Sequence, residues 1–262
     1  MRGVCALLTL GLAALAQADS FQVYPVRVDL DAAHPNAVVT LVNPTDEAIL
    51  IQAETFDWEQ ADGQDQLQPS HALLVNPPIF ELPAHGKQLL RVGLRQGWSQ
   101  GVGSEKGWRL WLSQLPARMG SDPTDAQVQA VKVLLRVNLP VFAAAHARAA
   151  VSSPQWRWQL GVLSAHNAGS RHVQLKQVQI SDADGNHLQL GMRYVLAGAE
   201  AAWTLPDAWR DRAIKVDADS DGGPLSVSLD ATRLDAVLPE TLRLDTTRAA
   251  RGTFDAASAA HP

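Results

Sequence analysis

The residues with the chemistry to react or to bind a metal are scattered along this chain. Asp217, Asp219 and Asp221, followed by Gly222, spell D-x-D-x-D-G, the opening of a helix-flanked calcium loop. That loop needs a bidentate glutamate at its twelfth position, which here is Ser228, and its aliphatic eighth position is Pro224. No helical period flanks the motif, so an acidic inter-strand turn is expected. The eight histidines include no pair at metal-ligand spacing on one element. His166 and His172 flank a turn, and the histidines are read as surface or turn residues. Ser226 and Ser228 lie in an alternating strand, with no nucleophile elbow, phosphate loop or dinucleotide fingerprint nearby. Glu54 and Asp57, or Glu59 and Asp62, carry no sign of facing each other as glycosidase carboxylates do. The expectation is a non-enzyme that uses no cofactor and no metal, and that binds something.

The feature that asks for a partner is AVKVLLRVNLPVF, residues 130 to 142. It is apolar enough for a buried strand, yet it carries Lys132, Arg136 and Asn138. A central strand has no room for an unpaired charge. Pro140 donates nothing to a ladder, which places the strand at an edge.

The elements around it are set by a chain of 262 residues, enough for two ordinary domains with real cores. Residues 1–18 have a basic Arg2, an apolar stretch from Val4 to Leu15 and a small-x-small site at Ala16-Gln17-Ala18. They read as a secretory signal peptide cleaved after Ala18, too short for a membrane anchor, which predicts export and no membrane insertion. Cys5, the one cysteine, lies within that segment, so the mature protein has no disulfide and its cores must stand without staples. Without Arg2 there are 21 basic and 27 acidic residues, a net charge of -6, which argues against nucleic acid as a partner.

From Phe21 onward the text is strand-like. FQVYPVRVDL, AVVTLVNP, AILIQAETFDW, KQLLRVGL and WRLWLSQLP are separated by turn chemistry such as NPTDE and ADGQDQ. Small residues after Phe142 suggest a domain boundary near 143–152. A second series follows, WRWQLGVLSAHNAG to PLSVSLD, with Asp184-Gly185 as a hairpin signal. The class is all-β, two sandwiches in tandem: residues 19–145, then 146–244, with a loose tail over 245–262. Trp108 and Trp111 face opposite ways on one strand, so one is core and one partly exposed. Trp156 and Trp158 share a face and are assigned to core packing.

In order, these segments resemble the PapD-like periplasmic chaperones of chaperone–usher pilus assembly. FQVYPVRVDLD resembles the family's first strand, with Arg27 at its basic position. LLVNPPIFELPAHGKQLLRVGL carries the family's Pro-Pro, its turn and its aliphatic run with an arginine. EKGWRLWLSQLP ends in aliphatic-Pro, AVKVLLRVNLPVF falls at the last strand of the first domain, and LSAHNAGSRHVQLKQVQISDADG resembles the second domain's text. The ending NLPVF is closer to the divergent archaic or alternative branch.

The resemblance implies two immunoglobulin-like sandwiches with a cleft between them. It implies a chaperone that binds pilus subunits by donor-strand complementation and delivers them to an outer-membrane usher. A basic pair in the cleft would hold the subunit's C-terminal carboxylate. Here that pair corresponds to Arg27 and Arg136, with Arg91 a third candidate. The competing reading is a secreted sandwich adhesion or structural protein that self-assembles through an edge strand.

Side chains alternate across a strand. Val131, Val133, Leu135, Val137 and Leu139 point one way, and this more apolar set is expected in the protein's own core. Val128, Ala130 and Leu134 are then lent to the subunit, with Arg136 on the same face pointing into the cleft. If a bulge switches the face, Val131 and Val133 take that role.

Overall fold

The structure is a computed structural model, and it describes residues 21–96, 104–116, 133–144 and 154–230. The signal segment, Val128, Ala130, Val131, the proposed linker beyond Ala144 and the C-terminal tail lie outside the described residues.

The molecule is all-β. The first sandwich contains β1 (Gln22–Tyr24), β2 (Val28–Leu30), β3 (Asn36–Val42), β4 (Ile49–Ala61), β5 (Gln64–Pro69), β6 (Leu73–Asn76), β7 (Ile79–Leu82), β8 (Lys87–Leu94), β9 (Lys106–Leu115) and β10 (Arg136–Ala143). One sheet has the order β1-β3-β8-β6, and the facing sheet has the order β2-β10-β9-β4-β5, with β7 paired to β4. FQVYPVRVDL, expected as one strand, is two: β1 lies in one sheet and β2 in the other, and the crossing falls at Pro25, which has no N–H to give a ladder. Alternation fills the space between the sheets with Val39, Leu41, Ile51, Leu90, Val92, Leu110, Leu112, Leu139 and Val141, all essentially inaccessible.

The second sandwich contains β11 (Gln155–Gln159), β12 (Val162–His166), β13 (Val173–Ser181), β14 (His187–Val195), β15 (Glu200–Thr204), β16 (Ile214–Ser220) and β17 (Gly223–Leu229). Its sheets run β11-β12-β15 and β14-β13-β16-β17. Asp182 caps the β13–β14 turn by accepting from the amides of Asp184 and Asn186, and Gly185 supplies the positive φ of +82° that the turn needs. Trp158 is core, and Trp156 packs beside it against Trp203. Trp108 is core in the first sandwich, while Trp111 faces the other way against Phe56.

The D-x-D-x-D-G run is an inter-strand hairpin. Asp217 and Asp219 lie in β16, and Asp221 sits at the tip before β17. Asp217 accepts from Ser226 across the ladder at 2.7 Å.

Candidate functional site

β10 is half an edge. On one side it pairs with β9 along its whole length, from Arg136 opposite Ser113 to Ala143 opposite Lys106. On the other, β2 covers only Val141 to Ala143. Two hydrogen bonds fix which way the backbone groups point. The Leu135 carbonyl accepts from the Gln114 amide at 2.9 Å, toward β9, and the Ala144 amide donates to the Leu30 carbonyl at 3.2 Å, toward β2. Backbone direction alternates residue by residue in a strand. The amides and carbonyls of Arg136 and Asn138, and the Pro140 carbonyl, therefore face the open edge. No described strand pairs with them there. Pro140 sits where its missing N–H subtracts nothing from the β9 ladder.

Side chains follow the same alternation. Leu135 and Val137 pack on the core, and Leu139 and Val141 are within it, so the odd set faces inward as expected. Leu134 is 41 % exposed on the even set. Val133, though odd, is 75 % exposed because it lies beyond the end of the core.

The outer face of this sheet is aromatic and basic. Phe56, Trp58, Arg109, Trp111, Arg136 and Phe142 share it by register. At its lower end the second sandwich docks. Phe142 stacks on His172 at 3.6 Å between centroids, Trp58 meets Tyr194 edge-on at 5.6 Å, and Leu196 packs into the same cluster. Gly107 lies beneath this cluster, and a Cβ there would come into contact with Leu196, Trp58 and Phe142. Gln60 clamps the backbone of the second sandwich, donating to the Tyr194 carbonyl and accepting from the Leu196 amide, both at 2.9 Å. Gly63 lies so close to Ala202 that a Cβ would collide with it, and its carbonyl accepts from the Ala202 amide at 2.9 Å.

A buried ion pair completes the joint. Glu105, whose side chain is 2 % exposed, accepts from the His172 amide at 2.8 Å and contacts His172 Nδ1 at 2.6 Å. Arg171 Nε adds a longer bond at 3.4 Å. Burial pushes the Glu105 carboxyl up, but the bonds from His172 and the charge of Arg171 outweigh it and hold the group below the usual carboxylate range. His172 therefore flanks the turn before β13, as expected, but it is buried and not a surface residue. It is 3 % exposed and is packed into the joint between the sandwiches. Sequence periodicity does not reveal this, because Glu105 and His172 meet only across the domain boundary.

The arginines expected at an anchor separate into different places. Arg27 lies at the cleft, bonded to Asp29 at 2.9 Å, with Asp221 of the second sandwich 3.6 Å from its Nη1. Lys176 approaches the same Asp221 at 3.3 Å. Arg136 shares the sheet face but stands four residues before Pro140, about 14 Å up the strand. There its Nε donates to Ser113 Oγ at 2.9 Å and its guanidinium lies 4.5 Å from the Trp111 ring. Arg27 and Arg136 are not brought together. Arg91 is excluded from the site altogether. It is exposed on β8 in the other sheet, flanked by the inward-facing Leu90 and Val92, so the whole core lies between it and β10.

Arg109 was not singled out from the sequence and belongs here. It is the β9 partner of Pro140, its side chain is 14 % exposed, and its guanidinium lies 3.5 Å from the Trp58 ring centroid. The indole N–H groups of Trp58 and Trp111 on this face are buried and have no hydrogen-bond partner among the described residues.

Residues 20–146 match the family model described as pili and flagellar-assembly chaperone, PapD N-terminal domain. A search of curated proteins found no match. The fold is similar to a chain from the CsuC–CsuE chaperone–tip adhesion subunit pre-assembly complex of the archaic chaperone–usher Csu pili of Acinetobacter baumannii: 19 % identity, TM-score 0.60, covering 82 % of this chain and 100 % of that one. It is also similar to a chain from the Salmonella enterica SafA pilin–SafB chaperone complex, at 20 % identity and TM-score 0.60, covering 81 % and 98 %. The E. coli chaperone DraB matches at 18 % identity and TM-score 0.56, covering 82 % and 98 %. The two-domain β-sandwich fold is thus shared with these chaperone structures. Residues 20–146 belong to the family of PapD-like pilus-assembly chaperone N-terminal domains, and the whole two-sandwich fold is similar to that of PapD-like chaperones.

Proposed function

We propose that this protein acts in the periplasm, holds pilus subunits by lending them the open edge of β10, and passes them to an outer-membrane usher. The observation that supports this is the half-open ladder: backbone groups at Arg136, Asn138 and Pro140 that no described strand pairs with, preceded by exposed Val133 and Leu134. Such an edge normally invites aggregation. Here it has the form needed to complete a partner sheet, with main-chain bonds giving affinity and alternate side chains giving specificity. Leu134, with Val128 and Ala130 before it, is assigned to the subunit groove, and Val131 and Val133 take that role if a bulge intervenes. Arg27 is assigned to the subunit's C-terminal carboxylate. The Leu139-Pro140-Val141-Phe142 ending fits the archaic or alternative branch of these systems.

The test is amide hydrogen exchange on the chain alone and in complex with a co-expressed pilus subunit. The Arg136 and Asn138 amides become protected on binding. Protection confined to the edges of the other sheet, at β1 and β6, overturns the proposal.

A further inference from the structure

The sheet that carries β10 has an outer face of two halves. The lower half, around Trp58 and Phe142, is covered by the second sandwich. The upper half is apolar too, and it is left partly open. Leu50, Phe56, Trp111 and Leu115 are half-buried there, and Ile79 is 54 % exposed. They share the face by register: Leu50 lies opposite Leu115, Ile79 opposite Gln52, and Gln52 opposite Ser113, two residues from Trp111. A sheet face that only meets water is normally polar. Here Phe56 packs on Trp111 at 4.3 Å between ring centroids, and the Arg136 guanidinium lies 4.5 Å from the Trp111 ring, held by the Ser113 hydroxyl at 2.9 Å. Gln52, Glu54 and Asn138 stand around them on the same face. Aromatic and guanidinium groups ringed by polar ones make up the energetic centres of protein interfaces.

The geometry of β10 says what covers this half. Leu134 belongs to the even set with Arg136, so it points to the same outer face, where it is 41 % exposed. A partner that takes Leu134 into its interior must have that interior on this side of the lent strand. In a sandwich the second sheet stands about 10 Å from the first. β9 and β4 are the next two strands from β10, about 5 and 10 Å away. A partner sandwich filled by Leu134 therefore overhangs Trp111 on β9 and Phe56 on β4. The outer face of the other sheet has no such continuity, because the whole core lies between it and β10.

We infer that the outer face of β9 and β4 above the joint is a second seat for the pilus subunit, centred on Trp111 and Phe56, and that it receives aliphatic or aromatic side chains from the rim of the subunit's open groove. The inference rests on the edge-lending reading and adds selectivity to it. The edge accepts any extended backbone, whereas this face discriminates by side-chain shape.

The experiment uses the full chain, co-expressed in the periplasm with a histidine-tagged pilus subunit. Capture is read as the chaperone recovered with the tag, and amide exchange at Arg136 and Asn138 in the complex reports on the edge. Trp111→Ala lowers capture about tenfold, the loss expected when an interface anchor is truncated. Ile79→Asp brings a charge into the apolar contact from an exposed position, and lowers capture about fivefold with the melting temperature unchanged. Leu74→Asp is the control. Leu74 is 51 % exposed on the outer face of the other sheet, and its replacement leaves capture unchanged.

Wild-type capture by Ile79→Asp, with the edge amides protected, overturns the seat and leaves edge lending intact, whatever Trp111→Ala does. An equal loss in Leu74→Asp overturns it as well, since the loss then does not belong to this face. A wild-type complex in which the Arg136 and Asn138 amides stay unprotected, or no capture by the wild type, refutes edge lending and the seat with it.

Discussion

Replacing Glu105 with alanine should uncouple the two sandwiches. The carboxylate is buried and accepts two short bonds from His172 and a longer one from Arg171. Its removal leaves the His172 amide and ring nitrogen facing a void while Phe142 still stacks on the ring. Hydrogen bonds to a charged group contribute roughly 1.5–3 kcal/mol each, and breaking one side of a buried pair costs about 3–5 kcal/mol. We take about 3 kcal/mol, since Arg171 is partly exposed and recovers solvation. For a chain of this size that corresponds to a melting temperature lower by about 6–12 °C. The loss falls on the joint, so calorimetry should resolve two transitions in the variant where the wild type shows one. The sign with pH follows from the depressed carboxyl: its contribution is full above about pH 4.3, the unfolded value, and is lost as pH falls through the lower folded value. The gap between wild type and variant therefore closes in acid. A loss below about 1 kcal/mol at pH 7, the worth of an exposed pair, would refute the reasoning.

Three further outcomes are expected. Leu134→Asp places an unpaired charge where an apolar groove should receive leucine, and should lower subunit capture at least tenfold in a periplasmic co-purification, with the melting temperature unchanged. Arg27→Ala should deplete co-expressed subunit from the periplasm while the chaperone persists; normal subunit levels would remove Arg27 from the anchor. Gly63→Val forces a side chain into Ala202 at a backbone φ of +72°, and should widen the inter-domain angle measured by small-angle scattering; an unchanged scattering profile would show that the joint does not depend on this contact.

Local pattern determined a good deal of this protein. Alternation in β3, β8, β9 and β10 follows from which residues are apolar, because strand side chains have a period of two. That is why the inward set Leu135, Val137 and Leu139 and the opposite faces of Trp108 and Trp111 were legible before any coordinates. Pro140 and Arg136 in an apolar run marked an edge strand for the same local reasons.

What periodicity cannot carry is which strands lie side by side. That β2 closes the edge at Val141, that Arg109 stands level with Arg27 while Arg136 is displaced along the strand, and that Arg91 lies across the core depend on strand register, set by pairings between residues far apart in sequence, such as Pro140 with Arg109 and Val141 with Val28. Glu105 and His172 illustrate the limit most clearly. Read in sequence, they are a charge at a strand start and a histidine at a turn; packing against Phe142 makes them a buried contact between the sandwiches. Elements and their faces depend on neighbours along the chain and are legible there. The cleft is not, because its charges converge from the start of β2, from β9 and from the second sandwich, which no local spacing connects.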